Sequence, residues 1–141
     1  MSPPQTIAVG FDGSPDAEAA VRWTLKLANR LGSDVVFVHA AGLLEHIDAP
    51  GAVAELEERA WVLASEAGLD PTRGRWHVGE GDPCTVLLRA ADPPITADLV
   101  VVGSRRRGAH TGLLLGSTSH ELAEHSSVPV VIVPSGTARG V

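Results

Sequence analysis

The residues best suited to chemistry lie in one stretch, from Val102 to Ser119, which follows an apolar run and includes three consecutive arginines. Gly103 comes directly after the apolar run, and Gly116 and Ser117 open a predicted helix. Backbone N–H groups at the start of a helix lack partners within the helix and lie at the positive end of its dipole. The stretch therefore predicts an anion site able to bind a phosphate. A flexible surface loop with solvated arginines is the alternative.

Two common phosphate-binding motifs do not describe this stretch. Gly103 and Gly108 have the spacing of the two glycines of a P-loop, but Ala109 and His110 occupy the positions of its lysine and its magnesium-binding hydroxyl. No apolar strand is followed by the G-x-G-x-x-G pattern of a dinucleotide-binding fold. Any phosphate must therefore be held in another way.

Asp12 is the second candidate, because it follows the first predicted strand. A carboxylate at that position can accept hydrogen bonds from the hydroxyl or amino groups of a nucleoside. The same residue could instead stabilise the bend at Gly13 as a turn aspartate. The sequence leaves both roles open.

The other reactive residue types form no recognisable catalytic or metal-binding set. His120 and His125 are five residues apart, so a helix points them about 140° away from each other, whereas the zinc-protease motif needs a spacing of four. Cys84 lies near a predicted helix start without an identifiable histidine partner, which favours a small buried residue. His39 ends an apolar strand and is expected to be a hydrogen-bonded packing residue. We expect no metal ligand and no catalytic residue, which argues against an enzyme.

Apolar strands and amphipathic helices alternate along the chain. The strands lack polar alternation, which predicts an α/β fold whose parallel sheet is covered by helices on both faces. Ligands in such sheets bind beyond the carboxyl ends of strands, so the turn from Gly10 to Ser14 and the loop after Gly103 should face each other. The strand segments are 7–9, 35–38, 76–78 (a weaker edge strand), 99–102 and 128–133.

Each of the first four strands is followed by residues at helical spacing. Ser14 and Pro15 provide the cap and first position of the first helix, and Asp82 and Pro83 do so for the third. The fourth helix is short, and the residues from Thr118 to Glu121 fit a capping box at its start.

Composition restricts the class of protein. The chain has 141 residues, 44% of them hydrophobic, which predicts a single domain over 1–141 that buries roughly 70% of its unfolded surface. A formal net charge of -6 argues against nucleic acids and anionic membranes as main partners. The single cysteine excludes an intramolecular disulfide, and no secretory or membrane-spanning segment is recognisable. We expect a cytoplasmic protein.

The last strand segment, from Val128 to Val133, contains no lysine and no internal charge. Natural proteins seldom leave such an apolar strand bare at a sheet edge. If the segment is an edge strand, we expect another chain to cover it. The C-terminal tail folding back over the edge is the alternative.

Together these segments resemble the universal stress protein family over almost the whole chain. The resemblance is carried by IAVGFDGSPDAEAAVRWTLKLA, VVFVHA, GDPCTVLLRAA, VVGSRRRGAHTGLLLGSTS and VPVVIVP. Members of the family that bind ATP carry G-x-x-G, nine residues, and then G-Ser or G-Thr. Gly103, Gly116 and Ser117 agree with this motif, whereas Arg106 stands at its second glycine.

The resemblance implies a five-stranded parallel α/β sandwich and a homodimer joined through the strand from Val128 to Val133. It also implies bound ATP, with or without Mg²⁺, with its base near Asp12 and Ala40 and its phosphates on the loop between the fourth strand and the fourth helix. The expected binding residues are Gly10, Phe11, Asp12, Ala40, Gly103, Arg106, Gly116, Ser117, Thr118 and Ser119.

The expected function is that of a nucleotide-binding stress-response regulator or sensor, with at most slow ATP hydrolysis. A glycine at the position of Arg106 can permit close backbone approach to the phosphates, whereas arginine adds a Cβ and a long cation. The guanidinium either swings outward or grips a phosphate oxygen, or else the altered loop fills the site. Because the family includes cyclic AMP binders and members that bind no nucleotide, the alternatives are a cyclic AMP binder and a dimeric interaction module with a vestigial site.

Overall fold

The computed structural model describes residues 3–42, 51–104 and 116–134. In this part of the chain the strands are β1 (Thr6–Gly10), β2 (Asp34–Ala41), β3 (Gly74–Glu80), β4 (Leu99–Gly103) and β5 (Val130–Val133). The α-helices are α1 (Pro15–Leu31), α2 (Ala52–Glu66), α3 (Pro83–Arg89) and α4 (Ser117–His125), and a 3₁₀ turn spans Pro71–Arg73. All strand pairs are parallel, in the order β3-β2-β1-β4-β5. The predicted five-stranded parallel sheet is confirmed.

Each face of the sheet has its own apolar core, because successive side chains of a strand point to opposite faces. On one face α1 and α2 pack against the sheet, and this core includes strand residues Ile7, Val9, Val35, Phe37 and Val101 with helix residues Leu25 and Leu63. On the other face α3 and α4 pack against the sheet, and this core includes strand residues Ala8, Val36, Val38, Val100 and Val102 with helix residues Leu87 and Leu122. Burial on both faces explains why the central residues of β1, β2 and β4 are apolar without alternation.

Helices α1 and α3 begin at the predicted caps. The Ser14 hydroxyl accepts a hydrogen bond from the Ala17 N–H (3.1 Å), and Oδ1 of Asp82 accepts one from the Thr85 N–H (3.0 Å). A proline follows each cap at the first helical position, where its missing N–H costs nothing. Both helix starts are therefore satisfied by their own side chains.

The capping box predicted for α4 is wrong. The residue before the helix is Gly116, which provides no side-chain cap, and Thr118 is already the second helical residue. Ser119, the third residue of the helix, instead donates its hydroxyl proton to the Gly103 carbonyl (2.7 Å). This contact ties the first turn of α4 to the end of β4.

Strand β5 is an edge strand, and it begins at Val130 rather than at the predicted Val128. Val128 belongs to a turn in which the Ser126 hydroxyl donates to the Val128 carbonyl (2.7 Å) and accepts from the Val128 N–H (3.2 Å). Pairing with β4 starts with the Val100 N–H, which donates to the Pro129 carbonyl (3.0 Å). The strand is thus two residues shorter than predicted.

The end of β4 contacts the start of α1 at Gly103. A Cβ placed on Gly103 would lie 3.0 Å from both the Cβ and the carbonyl oxygen of Asp16. Such a separation is shorter than ordinary van der Waals contact, so a larger residue forces the strand and the helix apart. Close packing is therefore a sufficient reason for glycine at this position.

We expect Gly103→Ala to lower the free energy of unfolding by about 1–3 kcal/mol, because the added methyl group overpacks the contact with Asp16. Urea unfolding followed by circular dichroism measures the change. The matched control is Gly42→Ala, since a Cβ at Gly42 meets no atom within 4 Å. Equal losses of stability in the two variants would contradict this account of Gly103.

Candidate functional site

A cleft of about 540 Å³ lies at the carboxyl ends of the strands. The turn after β1 forms one wall, and the end of β4 with the first turn of α4 forms the facing wall. The predicted binding residues that line it are Gly10, Phe11, Asp12, Ala40, Gly103, Gly116, Thr118 and Ser119. Ser117 is the exposed first residue of α4 and is not part of the lining. Arg106 lies outside the described residues.

The two ends of segment 105–115 are held together at the cleft. The Gly116 N–H donates to the Ser104 carbonyl (2.9 Å), next to the hydrogen bond between Ser119 and Gly103. Ser119 is only 3% exposed. Its hydroxyl proton is therefore already used within the protein, and Ser119 can offer a ligand its backbone N–H and an oxygen lone pair only.

Three helices point their N-terminal ends toward the cleft, since Pro15 of α1, Pro83 of α3 and Thr118 of α4 all line it. In α1 and α3 a side chain caps the first turn. In α4 no side chain does so, and the N–H groups of residues 117–119 have no hydrogen-bond partner among the described residues. The start of α4 is therefore the position at which the cleft can bind an anion.

Asp12 stabilises the turn at Gly13, which is one of the two roles that the sequence left open. Its Oδ1 accepts a hydrogen bond from the Ser14 N–H (2.9 Å), which stabilises the bend at Gly13. Gly13 has a φ of +82°, a conformation that glycine adopts without strain. Asp12 is exposed and lines the cleft, so its other oxygen lies where it can also meet a ligand.

Sequence reasoning missed Asp16, a half-buried residue that lines the cleft beside Gly103. No hydrogen bond or ion pair engages its carboxylate within the part of the chain that the structure describes. The sequence does show that Asp16 is an acidic residue in the first turn of the helix that follows β1, close to the end of the sheet where ligands bind. Close contact with Gly103, which the sequence does not reveal, is what places it in the cleft.

The opposite part of the cleft is apolar. Phe11, Ala40 and Leu87 line it, and Phe11 is only 3% exposed. The Phe11 carbonyl accepts a hydrogen bond from Nδ1 of buried His39 (2.9 Å), whose ring stacks on Trp76 with the centroids 6.1 Å apart. His39 is thus the hydrogen-bonded packing residue that was expected, and it fixes the backbone under the apolar wall.

The other reactive side chains lie outside this cleft. Burial raises the pKa of the Cys84 thiol, and the nearby Glu121 and Asp82 charges raise it further, so the reactive thiolate is disfavoured. Nε2 of exposed His120 lies 2.6 Å from Oε1 of Glu124. No group of three or more metal-ligating side chains is found within residues 3–42, 51–104 and 116–134. None of the helices described there is long and apolar enough to cross a bilayer.

Comparison with known proteins identifies the family. The sequence model of the universal stress protein family matches residues 4–134. A universal stress protein of Mycobacterium bovis is 33% identical over 134 residues, which cover 89% of this chain and 44% of the relative. The chain thus spans less than half the length of this relative.

Solved structures share the fold. The crystal structure of a universal stress protein in complex with cAMP has a TM-score of 0.77 and 29% sequence identity, and the match covers 95% of this chain and 99% of that one. A universal stress protein from Archaeoglobus fulgidus, solved in complex with dAMP, has a TM-score of 0.68 at 20% identity, with 94% and 99% covered. The chain belongs to the universal stress protein family.

Proposed function

We propose that the protein is a stress-response regulator or sensor that binds an adenine nucleotide in the cleft. The observation that carries the proposal is the uncapped start of α4, whose N–H groups lie beside the cleft and suit a phosphate. Its location supports the proposal, because β1 and β4 are neighbours at the point where the strand order reverses. Ligands of open α/β sheets bind at such points.

The remaining walls suit the other parts of a nucleotide. The surface formed by Phe11, Ala40 and Leu87 is apolar and can pack against a planar base. The oxygen of Asp12 that is not bonded to Ser14 is positioned to accept a hydrogen bond from a ribose hydroxyl or a base amino group. Base, sugar and phosphate thus each have a complementary surface within one cleft.

Two ligands stand as candidates. The loop spacing of Gly103, Gly116 and Ser117 favours ATP, with or without Mg²⁺, and an outward or phosphate-gripping Arg106 is compatible with it. The similarity to a universal stress protein solved with cAMP, at 29% identity over nearly the whole chain, favours cyclic AMP. In either case a phosphate of the ligand would bind at the start of α4.

We expect Ser117→Asp to weaken binding of ATP by about tenfold and binding of cyclic AMP by less, because a carboxylate at the start of α4 repels a phosphate group in proportion to its charge. The same substitution should leave the fold intact or stabilise it, since an acidic residue is favourable at a helix N-terminus. Isothermal titration calorimetry measures the affinities, and thermal unfolding measures the stability. Ser117→Asn is the matched control, because it changes the side chain without adding charge.

The absence of any heat with ATP, ADP or cyclic AMP at millimolar concentrations would contradict the proposal. If Arg106→Gly then restored binding, the vestigial site would be the better account, with Arg106 as the blocking residue. Mass spectrometry of a nucleotide that copurifies with the protein tests occupancy and identity together.

We also propose that β5 pairs with the β5 of a second copy to form a homodimer. No strand of the described residues covers the outer edge of β5, and Val130, Val131 and Ile132 are only partly buried. The strand carries no charge that would oppose pairing. Trp23 and Leu27 of α1 lie partly buried on the same core as Val131.

We expect Ile132→Pro to convert the dimer to a monomer. The Pro129 carbonyl accepts a hydrogen bond from Val100 of β4, and the Val133 carbonyl accepts one from Ser104, which follows β4. The alternation of a strand therefore directs the Ile132 N–H to the open edge. Proline removes that donor without removing a bond to β4. Sedimentation velocity of wild type, Ile132→Pro and the control Ile132→Val measures the mass. A monomeric wild type, or a dimeric proline variant, would contradict pairing through β5.

A further inference from the structure

We propose that Asp16 makes the cleft select nucleotides by charge, so that mononucleotides and cyclic mononucleotides bind more tightly than ATP in the absence of a divalent cation. This inference rests on the proposed nucleotide site. It concerns which phosphate groups that site accepts, and it assigns a specificity-determining role to a residue of the β1–α1 turn.

The position of Asp16 follows from two contacts at the end of β4. A Cβ placed on Gly103 would lie 3.0 Å from the Asp16 Cβ, and the Gly103 carbonyl accepts the hydroxyl proton of Ser119 at 2.7 Å. Asp16 and the first turn of α4 therefore flank the same residue from opposite walls of the cleft. A phosphate bound to the α4 N–H groups would share the cleft with the Asp16 carboxylate.

The charge of Asp16 is not neutralised by a neighbour in the described part of the chain. Its carboxylate has no ion pair and no hydrogen bond there. Among the described lining residues Asp12 is a second carboxylate, and none is lysine, arginine or histidine. A carboxylate that is half-buried in a cleft is screened less than one on an open surface.

Repulsion from a fixed carboxylate grows with the charge of the ligand. Cyclic AMP carries one negative charge and ATP carries several, while both present the same base and ribose. Asp16 therefore costs ATP more binding free energy than it costs cyclic AMP. The apolar wall and the α4 N–H groups contribute binding free energy to both ATP and cyclic AMP. The difference between the affinities of the two ligands therefore isolates the effect of charge.

Isothermal titration calorimetry in buffer containing EDTA measures the binding of cyclic AMP, AMP, ADP and ATP to the wild type and to Asp16→Asn. We expect the wild-type Kd to rise with ligand charge. In Asp16→Asn the Kd of ATP should fall by about tenfold, while that of cyclic AMP should fall by no more than about twofold. Asp34→Asn is the control: it removes one charge from an exposed residue at the start of β2, away from the cleft.

An equal change in the ATP and cyclic AMP affinities of Asp16→Asn would overturn the inference, as would an effect of the same size in Asp34→Asn. A second titration with Mg²⁺ tests the opposite role. If Asp16→Asn weakened ATP binding there while leaving cyclic AMP unchanged, Asp16 would be a cation ligand and the inference would be wrong. If wild type bound none of the four nucleotides, the proposed function itself would fail, an outcome distinct from binding without selectivity.

Discussion

The hydrogen bond from the Ser119 hydroxyl to the Gly103 carbonyl is the interaction on which the site depends. It is partly buried, it spans sixteen positions in the sequence, and it holds the first turn of α4 against the end of β4. Gly103 in turn touches Asp16 at the start of α1. One residue of β4 thus sets the distance between both walls of the cleft, because a side chain at position 103 would separate them.

The order of the strands explains why those walls can meet. The chain builds β1, β2 and β3 toward one edge of the sheet and then places β4 on the other side of β1. The helices that follow β1 and β4 therefore leave the sheet on opposite faces, with their starts side by side. Two helix N-termini converge there without any irregularity in the sheet, and only the one at α4 lacks a side-chain cap.

The features that depend on local chemistry could be predicted from the sequence. The features that depend on contacts between distant residues could not. Apolar strands alternating with amphipathic helices predicted the parallel sheet, and the Ser-Pro and Asp-Pro pairs located the starts of α1 and α3. The start of α4 was mispredicted, because Thr118 and Glu121 fit a local cap while Ser119 bonds to a strand instead. The contact that brings Asp16 into the cleft is likewise invisible in the sequence, since nothing local relates positions 16 and 103.

The bond between the Gly116 N–H and the Ser104 carbonyl has an evolutionary consequence. The chain leaves β4 and enters α4 at adjacent points, so the two residues that flank segment 105–115 are bonded to each other. Loop-closure entropy grows only logarithmically with length, by about 0.6 kcal/mol for each doubling. Insertions and deletions within segment 105–115 therefore cost little free energy of folding, while the start of α4 stays bonded to the end of β4. The length of this segment can therefore change during evolution while the fold around it is kept.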